Sequence, residues 1–353
     1  MTKPINCRLK GVSPFNPVGN NLCVFHINTA IFVFFYGIIH PITYKLSAQI
    51  SSIQHLVFSI QYERKCNMPE YAVALGTFDG LHLGHKAVLN SVLKKGVTPL
   101  VLTFNLPPKF NSKNNLLMTP EDKIKAISRL GIKTEIMDFE KVKDISADEF
   151  LTFIKKEFSP KIIATGYNFR FGKGALGTTE QIADFCKENS VEFICADAVL
   201  VENEPVSSTR IRNLISLGEI KSANKMLGNY FCFSGEISHG DERGRTMGFP
   251  TLNIPYPLEL VTPKFGVYAS MAEIDGKNYK AVTDIGVRPT FKTDYVISET
   301  HVMDFEGDLY GKTAKIHLVD FIRGETKFSG IDELKAAISA DKKTAAEILK
   351  SVV

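Results

Sequence analysis

The chain has 353 residues, enough for two ordinary domains because single cores rarely keep growing past about 250 to 300 residues. Hydrophobic residues at 44% and charged residues at 23% exclude a disordered chain or a polytopic membrane protein for its bulk. With 42 Lys and Arg against 38 Asp and Glu, the net charge is only +4, so no surface-wide field demands nucleic acid or another polyanion, and basic residues should matter locally, beside phosphates.

Residues 1–67 differ from the rest: no charged residue occurs between Lys10 and Lys45, and the apolar run Ala30 to Ile39 lies in that gap. Three readings stay open. A membrane helix needs roughly 20 mainly apolar residues, and widening this run takes in His26, Asn28 and Thr29. A signal peptide would place Arg8 and Lys10 before an apolar region that starts late, with no clear cleavage site. The third reading, preferred here, makes Met68 the functional start and leaves 1–67 an unassigned, non-native extension, since strand-like sequence begins at once after it. Six cysteines without C-x-x-C or metal-like spacing argue against a disulfide framework or zinc site and make a reducing cytoplasm the expected location.

From Tyr71 to about Gly218 short β-rich runs alternate with helical patterns, as in parallel βαβ units. Strands are predicted at Tyr71 to Leu75, Pro99 to Phe104, Thr134 to Met137, Ile162 to Thr165 and Glu192 to Cys195. Helices are predicted at His85 to Lys94, Pro120 to Leu130 with Thr119 as cap, Ala147 to Glu157 and Thr179 to Glu188. The fold expected for 68–218 is a doubly wound α/β domain. Ile211 to Leu227 should form a helical bridge to a second domain, 219–353. There, strands at Phe231 to Ser238, Gly266 to Ile274, Tyr279 to Ile285, Thr300 to Met303 and Ala314 to Phe321 suggest an antiparallel β-barrel, closed by a carboxy-terminal helix from Ile331 to about Leu349.

The strongest local signal is Gly76-Thr77-Phe78-Asp79-Gly80-Leu81-His82-Leu83-Gly84-His85, at the first strand-to-helix turn. Gly76, Phe78 and Gly84 lie where a backbone can approach a phosphate at a helix amino terminus. His82 and His85 can donate to phosphate oxygens as charge builds during attack on an α-phosphorus. An isolated pair of histidines more often only caps or packs a turn; ten ordered residues at a strand-to-helix switch reverse that. Val206-Ser207-Ser208-Thr209-Arg210-Ile211-Arg212 then gathers hydroxyls and arginines at a helix start, which suits a triphosphate better than a bare N-cap at this place after the sheet.

These two segments together resemble the prokaryotic bifunctional riboflavin kinase/FMN adenylyltransferase family. The resemblance implies that His82, His85 and Asn168, in Gly166-Tyr167-Asn168-Phe169-Arg170, touch ATP or flavin, and that Ser208, Thr209 and Arg212 touch phosphates. Where the family commonly has Pro-His-Pro, this chain has Phe104-Asn105-Leu106-Pro107-Pro108, so one histidine contact is absent and the rate or affinity of adenylyl transfer is in doubt.

Between His239 and Asn253 no Walker A loop occurs, which excludes an ordinary P-loop kinase. Glycines Gly240, Gly244 and Gly248 still permit a backbone cradle for phosphates. Thr251 and Asn253, two apart on an extended segment, face the same way and suit one Mg²⁺, although such residues alone more often mean turns and hydrogen bonds. Gly248-Phe249-Pro250-Thr251-Leu252-Asn253 resembles the family's kinase signature, with Leu252 where alanine is usual. The resemblance implies that Glu299 is the catalytic base toward the ribityl 5′-hydroxyl, that Asp304 to Gly311 is a characteristic hairpin, and that Arg323, in a flavin-side loop, contacts flavin or nucleotide.

The function so implied is two-step cofactor synthesis: riboflavin and ATP to FMN in the carboxy-terminal domain, then FMN and ATP to FAD in the preceding one, with Mg²⁺ as cofactor, ATP as co-substrate, and neither nucleic acid nor membrane as partner. The sequence leaves oligomeric state open. Two alternatives stand beside this: a monofunctional small-molecule nucleotidyltransferase, which leaves the second domain useless, and a non-catalytic flavin-binding protein, which has no need of Glu299.

Overall fold

The computed structural model describes residues 22–27, 30–35, 69–93, 96–105, 116–238, 251–289, 294–305 and 309–352. The chain divides into a unit of residues 1–68 and a unit of residues 69–353. In the first, strands β1 (Leu22–Ile27) and β2 (Ala30–Phe35) pair as an antiparallel hairpin. The apolar run weighed as a membrane helix thus lies partly in β2. Among the described residues, no helix is long and apolar enough to cross a membrane.

The second unit begins with five parallel strands, β3 (Tyr71–Leu75), β4 (Thr98–Phe104), β5 (Lys133–Met137), β6 (Pro160–Gly166) and β7 (Glu192–Ala196), ordered β5-β4-β3-β6-β7. Central β3 buries Ala72, Val73, Ala74 and Leu75 to 2% exposure or less, as a strand covered on both faces must. One face packs α1 (Leu83–Ser91) and α2 (Pro120–Arg129) through Val88, Leu89 and Ile127. Beyond the short α3 (Phe139–Val142), the other face packs α4 (Ala147–Phe158) and α5 (Thr179–Glu188) through Phe150, Leu151, Ile154 and Ile182. Thr119, Ser146 and Thr178 cap α2, α4 and α5, the last two in full capping boxes. This is the expected doubly wound arrangement, with its switch point between β3 and β6.

After a small hairpin, β8 (Leu200–Val201) with β9 (Glu204–Pro205), the chain enters α6 (Ser208–Leu217) and α7 (Ile220–Leu227). The single helical bridge expected over Ile211 to Leu227 is two helices, because Gly218 caps α6 at φ +83°, where glycine meets no Cβ penalty. Their apolar faces, with Ile211, Ile215, Ile220 and Met226, join Leu117 of the first half to Phe231, Phe233 and Tyr268 of the second in one core.

The remaining strands are β10 (Phe231–Glu236), β11 (Leu252–Pro255), β12 (Gly266–Ile274), β13 (Lys277–Pro289), β14 (Asp294–Val302) and β15 (Thr313–Gly324). They form an antiparallel sheet ordered β10-β15-β12-β13-β14-β11. A bridge between Ser238 and Asn253 brings the two edges together, giving a nearly closed barrel. Inside, Ser270, Thr283 and Thr300 form a fully buried hydroxyl chain across β12, β13 and β14, at 2.7 and 2.9 Å. Outside, α8 (Ile331–Ile348) covers Val267, Ala269, Val282 and Val319 through Ala345 and Leu349.

Candidate functional site

The first site lies where the parallel strands end. A cleft of about 300 Å³ is bounded by Gly76, Thr77, Phe78, His82, Gly84, His85, Gly166, Asn168 and Ser208, among others. It sits beyond the carboxyl ends of β3 and β6, the switch point at which open α/β sheets bind ligands. Of the residues predicted for this half, Thr209 is exposed on the first turn of α6 and Arg212 ion-pairs with Asp79; neither bounds the cleft. Leu106 to Pro108 lie outside the described residues.

His82 caps α1: its Nδ1 accepts from the backbone N–H of His85 at 3.3 Å. Helix α1 therefore starts at Leu83, two residues before the predicted start. An Nδ1 used as an acceptor carries no proton, so neutral His82 holds its proton on Nε2. Burial pushes His82 down to about 4, with the nearby Arg212 cation adding to this. His85, stacked on His82 with ring centroids 3.6 Å apart, is driven well below the usual imidazole value by burial, then by His82 and by Lys123. Both rings are therefore neutral hydrogen-bond donors at the helix amino terminus rather than cations.

The turn carrying them is held from two sides. The Ser208 hydroxyl donates to the Asp79 carbonyl at 3.2 Å, and the Arg212 guanidinium bonds the Asp79 carboxylate. That carboxylate also accepts from the Leu117 amide at 2.9 Å. The backbone is left-handed at Phe78 and Leu81, where non-glycine residues pay a conformational cost that surrounding contacts must offset. Gly84 leaves room for the cap, since a Cβ there would come 3.2 Å from the His82 ring.

The second site is a row across the barrel. Antiparallel register places Asn253 opposite Glu299, Glu299 opposite Asp284, Asp284 opposite Val267, and Val267 opposite Arg323. Directly paired residues share a sheet face, and Val267 packs under α8, so the row lies on the outer face of the barrel, with its Val267 and Arg323 end against that helix. At one end Asn253 is 5% exposed, and its Oδ1 is buried without a hydrogen-bond partner. A buried amide oxygen with an open lone pair suits a hard cation, so Asn253 and the neighbouring Thr251 fit Mg²⁺. Among the described residues, no cluster of three or more His, Cys, Asp or Glu could hold a metal, so an ion held by Asn253 and Thr251 would need waters and substrate oxygens as further ligands.

At the other end the Arg323 guanidinium forms an ion pair with Asp341 of α8, through Nε at 3.0 Å and Nη2 at 2.8 Å, and stacks over Phe328. Arg323 lies in β15 rather than in the expected loop, because Phe321 to Gly324 continue the strand. The predicted cradle glycines Gly240, Gly244 and Gly248 lie outside the described residues.

Sequence reasoning did not single out Asp197, Arg170, Lys123 or Asp284. Asp197 and Arg170 bound the cleft; Asp197 follows the carboxyl end of β7, a signal that was there to use. Asp284 neighbours Glu299, and burial, then the Glu299 charge, raise it to about 6 although its side chain reaches solvent. A carboxyl raised in the fold contributes stability that is complete below its unfolded value of 3.8 and lost as pH rises through about 6. Asp284→Asn should therefore melt above the wild type at pH 7.5, with the gap closing by pH 4; equal melting at both pH values contradicts this. The difference should be well under the full linkage value, since the group is partly solvated.

The comparisons match both halves of the second unit. The FAD synthetase family profile matches residues 65–210 and the riboflavin kinase profile residues 227–349. The bifunctional riboflavin kinase/FMN adenylyltransferase of Listeria monocytogenes is 33% identical over 282 residues, 76% of this chain and 90% of that protein. Its namesake from Bacillus subtilis is 34% identical over 293 residues, 77% of this chain and 90% of that protein. A crystal structure described as a macrolide-efflux protein from Streptococcus pneumoniae superposes with a TM-score of 0.72 at 30% identity, covering 79% of this chain and 95% of that one.

Proposed function

This chain belongs to the bifunctional riboflavin kinase/FMN adenylyltransferase family and converts riboflavin to FMN and FMN to FAD with ATP, and we propose that the row from Asn253 to Arg323 performs the first step and the His82 cleft the second. Matches to both profiles set aside the single-activity and non-catalytic alternatives. The domains are 68–218 for adenylyl transfer and 219–353 for the kinase. The setting is the cytoplasm, and the partners are riboflavin, FMN and ATP, with no nucleic acid or membrane involved.

The observation that carries the kinase assignment is the unpartnered, buried Asn253 Oδ1 beside Glu299. Asn253 and Thr251 would hold Mg²⁺, which when bound neutralises charge on the transferring phosphates. Glu299 accepts the proton of the ribityl 5′-hydroxyl as that oxygen attacks the γ-phosphorus, and the bond from that phosphorus to the β,γ-bridging oxygen breaks to release ADP. The phosphate cradle expected of Gly240, Gly244 and Gly248 rests on the sequence alone. Arg323, fixed by Asp341, borders the flavin. Phosphoryl transfer asks mainly for alignment and charge neutralisation, so few protein groups suffice.

In the cleft, the FMN phosphate is already ionised near neutral pH and needs no general base. It attacks the α-phosphorus of ATP, and pyrophosphate leaves. His82 and His85 donate hydrogen bonds from neutral rings to the oxygens that gain charge. Gly76, Phe78 and Gly84 shape the backbone around the phosphates, Ser208 lines the cleft where the triphosphate would lie, Arg212 acts by holding Asp79 of the glycine turn, and Asn168 meets the flavin side.

Removing one Mg²⁺ ligand tests the kinase half. Asn253→Ala should raise the Mg²⁺ concentration that half-saturates FMN formation by about 10-fold or more, the usual scale for losing a group that holds a metal. An unchanged Mg²⁺ dependence excludes Asn253 as a ligand.

A further inference from the structure

Helix α2 buries a lysine that neither step uses. Lys123 is 5% exposed, and its Nζ donates to the carbonyl oxygens of Phe104 at 2.6 Å and Thr77 at 3.1 Å, and to the Thr103 hydroxyl at 3.4 Å. Thr103 in turn donates to the same Thr77 carbonyl at 3.0 Å. All three ammonium hydrogens thus tie the glycine turn of the cleft to the end of β4. Among the described residues no carboxylate bonds this ammonium, and the nearby Asp79 is taken up by Arg212. Burying an unpaired cation is costly, and a neutral side chain would fill the space without that cost.

The carbonyl that Lys123 holds precedes Phe78, whose left-handed backbone (φ +50°) bends the turn toward the histidines. The Phe78 ring meets His85 edge-on at 5.3 Å. The ammonium also opposes protonation of His85.

We infer that Lys123 is a positioning residue for adenylyl transfer: its ammonium pins the Thr77 carbonyl to β4 and sets a fixed positive potential behind the phosphate site. This rests on placing adenylyl transfer in the His82 cleft. The ion acts through Thr77 and His85 without touching substrate. Burial lowers Lys123 to about 8, so its charge is lost within an assayable pH range. The groups that face it are Asp79 from the turn, with Arg212 behind it, and His85 from α1.

The test compares Lys123→Met and Lys123→Arg with the wild type, measuring FAD formation from supplied FMN and FMN formation from riboflavin on the same full-length preparations. Lys123→Met should lower kcat for FAD formation about 30- to 100-fold, with KM for FMN little changed, as expected when a catalytic turn is misplaced. Riboflavin phosphorylation should be unaffected in both variants. Lys123→Arg should recover most of the lost rate and remove the wild-type fall in kcat above about pH 8, because a guanidinium does not titrate there. The inference is overturned by a wild-type rate in Lys123→Met, by an alkaline fall persisting in Lys123→Arg, or by both activities falling together, which means a purely structural lysine. Wild-type protein that makes no FAD from FMN sinks the cleft assignment as well, so the two failures are told apart.

Discussion

Glu299→Gln is expected to lower conversion of riboflavin to FMN by about 10²- to 10⁴-fold, the usual contribution of a general base, while leaving conversion of supplied FMN to FAD unchanged. Glutamine keeps the size and planarity of glutamate, so the pairing of β14 with β11 and β13 has no steric reason to change. Only the ability to accept a proton is lost. The effect should appear in kcat for phosphorylation, read as FMN formed per ATP consumed, with little change in KM for riboflavin. Asp284→Asn, at the next position of the row, serves as the control: it removes a neighbouring negative charge but not the base. A Glu299→Gln protein that still phosphorylates riboflavin at the wild-type rate removes Glu299 from the chemistry.

The second large effect should come from His82, which has two jobs that different substitutions separate. Its Nδ1 caps α1, and in the proposed reaction its Nε2–H is the donor to the phosphates. His82→Ala loses both; His82→Asn restores a favourable cap but not the imidazole donor. Each should reduce kcat for FAD formation by about 10²- to 10³-fold, as deletion of a transition-state hydrogen-bond donor does. The alanine variant should also lose about 1 kcal/mol of stability that asparagine recovers. Thermal melts and FAD assays on the two proteins check this. Recovery of activity along with stability in His82→Asn reduces His82 to a cap.

Much of this architecture is written locally. The strands β3 to β7 announce themselves as short β-rich runs between helical patterns, and Thr119 marks its cap as predicted. Other features are legible only in three dimensions. The helix capped by His82 starts two residues before the sequence pattern predicts, because imidazole is not among the usual caps. The break at Gly218 is the exception, since a lone glycine within a periodic apolar stretch marks it in the sequence. Lys123 lies in an amphipathic helix, where lysine ordinarily means a solvated face. Its burial follows from where α2 meets the ends of β3 and β4.

In the barrel the same limit applies to register. The pattern predicts a strand only over Thr300 to Met303, but β14 begins at Asp294, and no pattern predicts β11. Without β11 nothing in the sequence sets Asn253 opposite Glu299, or Glu299 opposite Asp284. A one-residue slip would place each on the other face, so pairing between distant strands, not composition, assembles that site. Arg323 and Asp341 likewise meet only because α8 folds back over β12, β13 and β15.

Product analysis with Mg-ATP, supplying riboflavin and FMN in separate reactions, tests most directly whether one chain carries both sites. Riboflavin should give FMN first and FAD later, with ADP and then pyrophosphate released, and FMN alone should give FAD and pyrophosphate. Riboflavin and FMN both recovered unchanged, with ATP intact, contradict it.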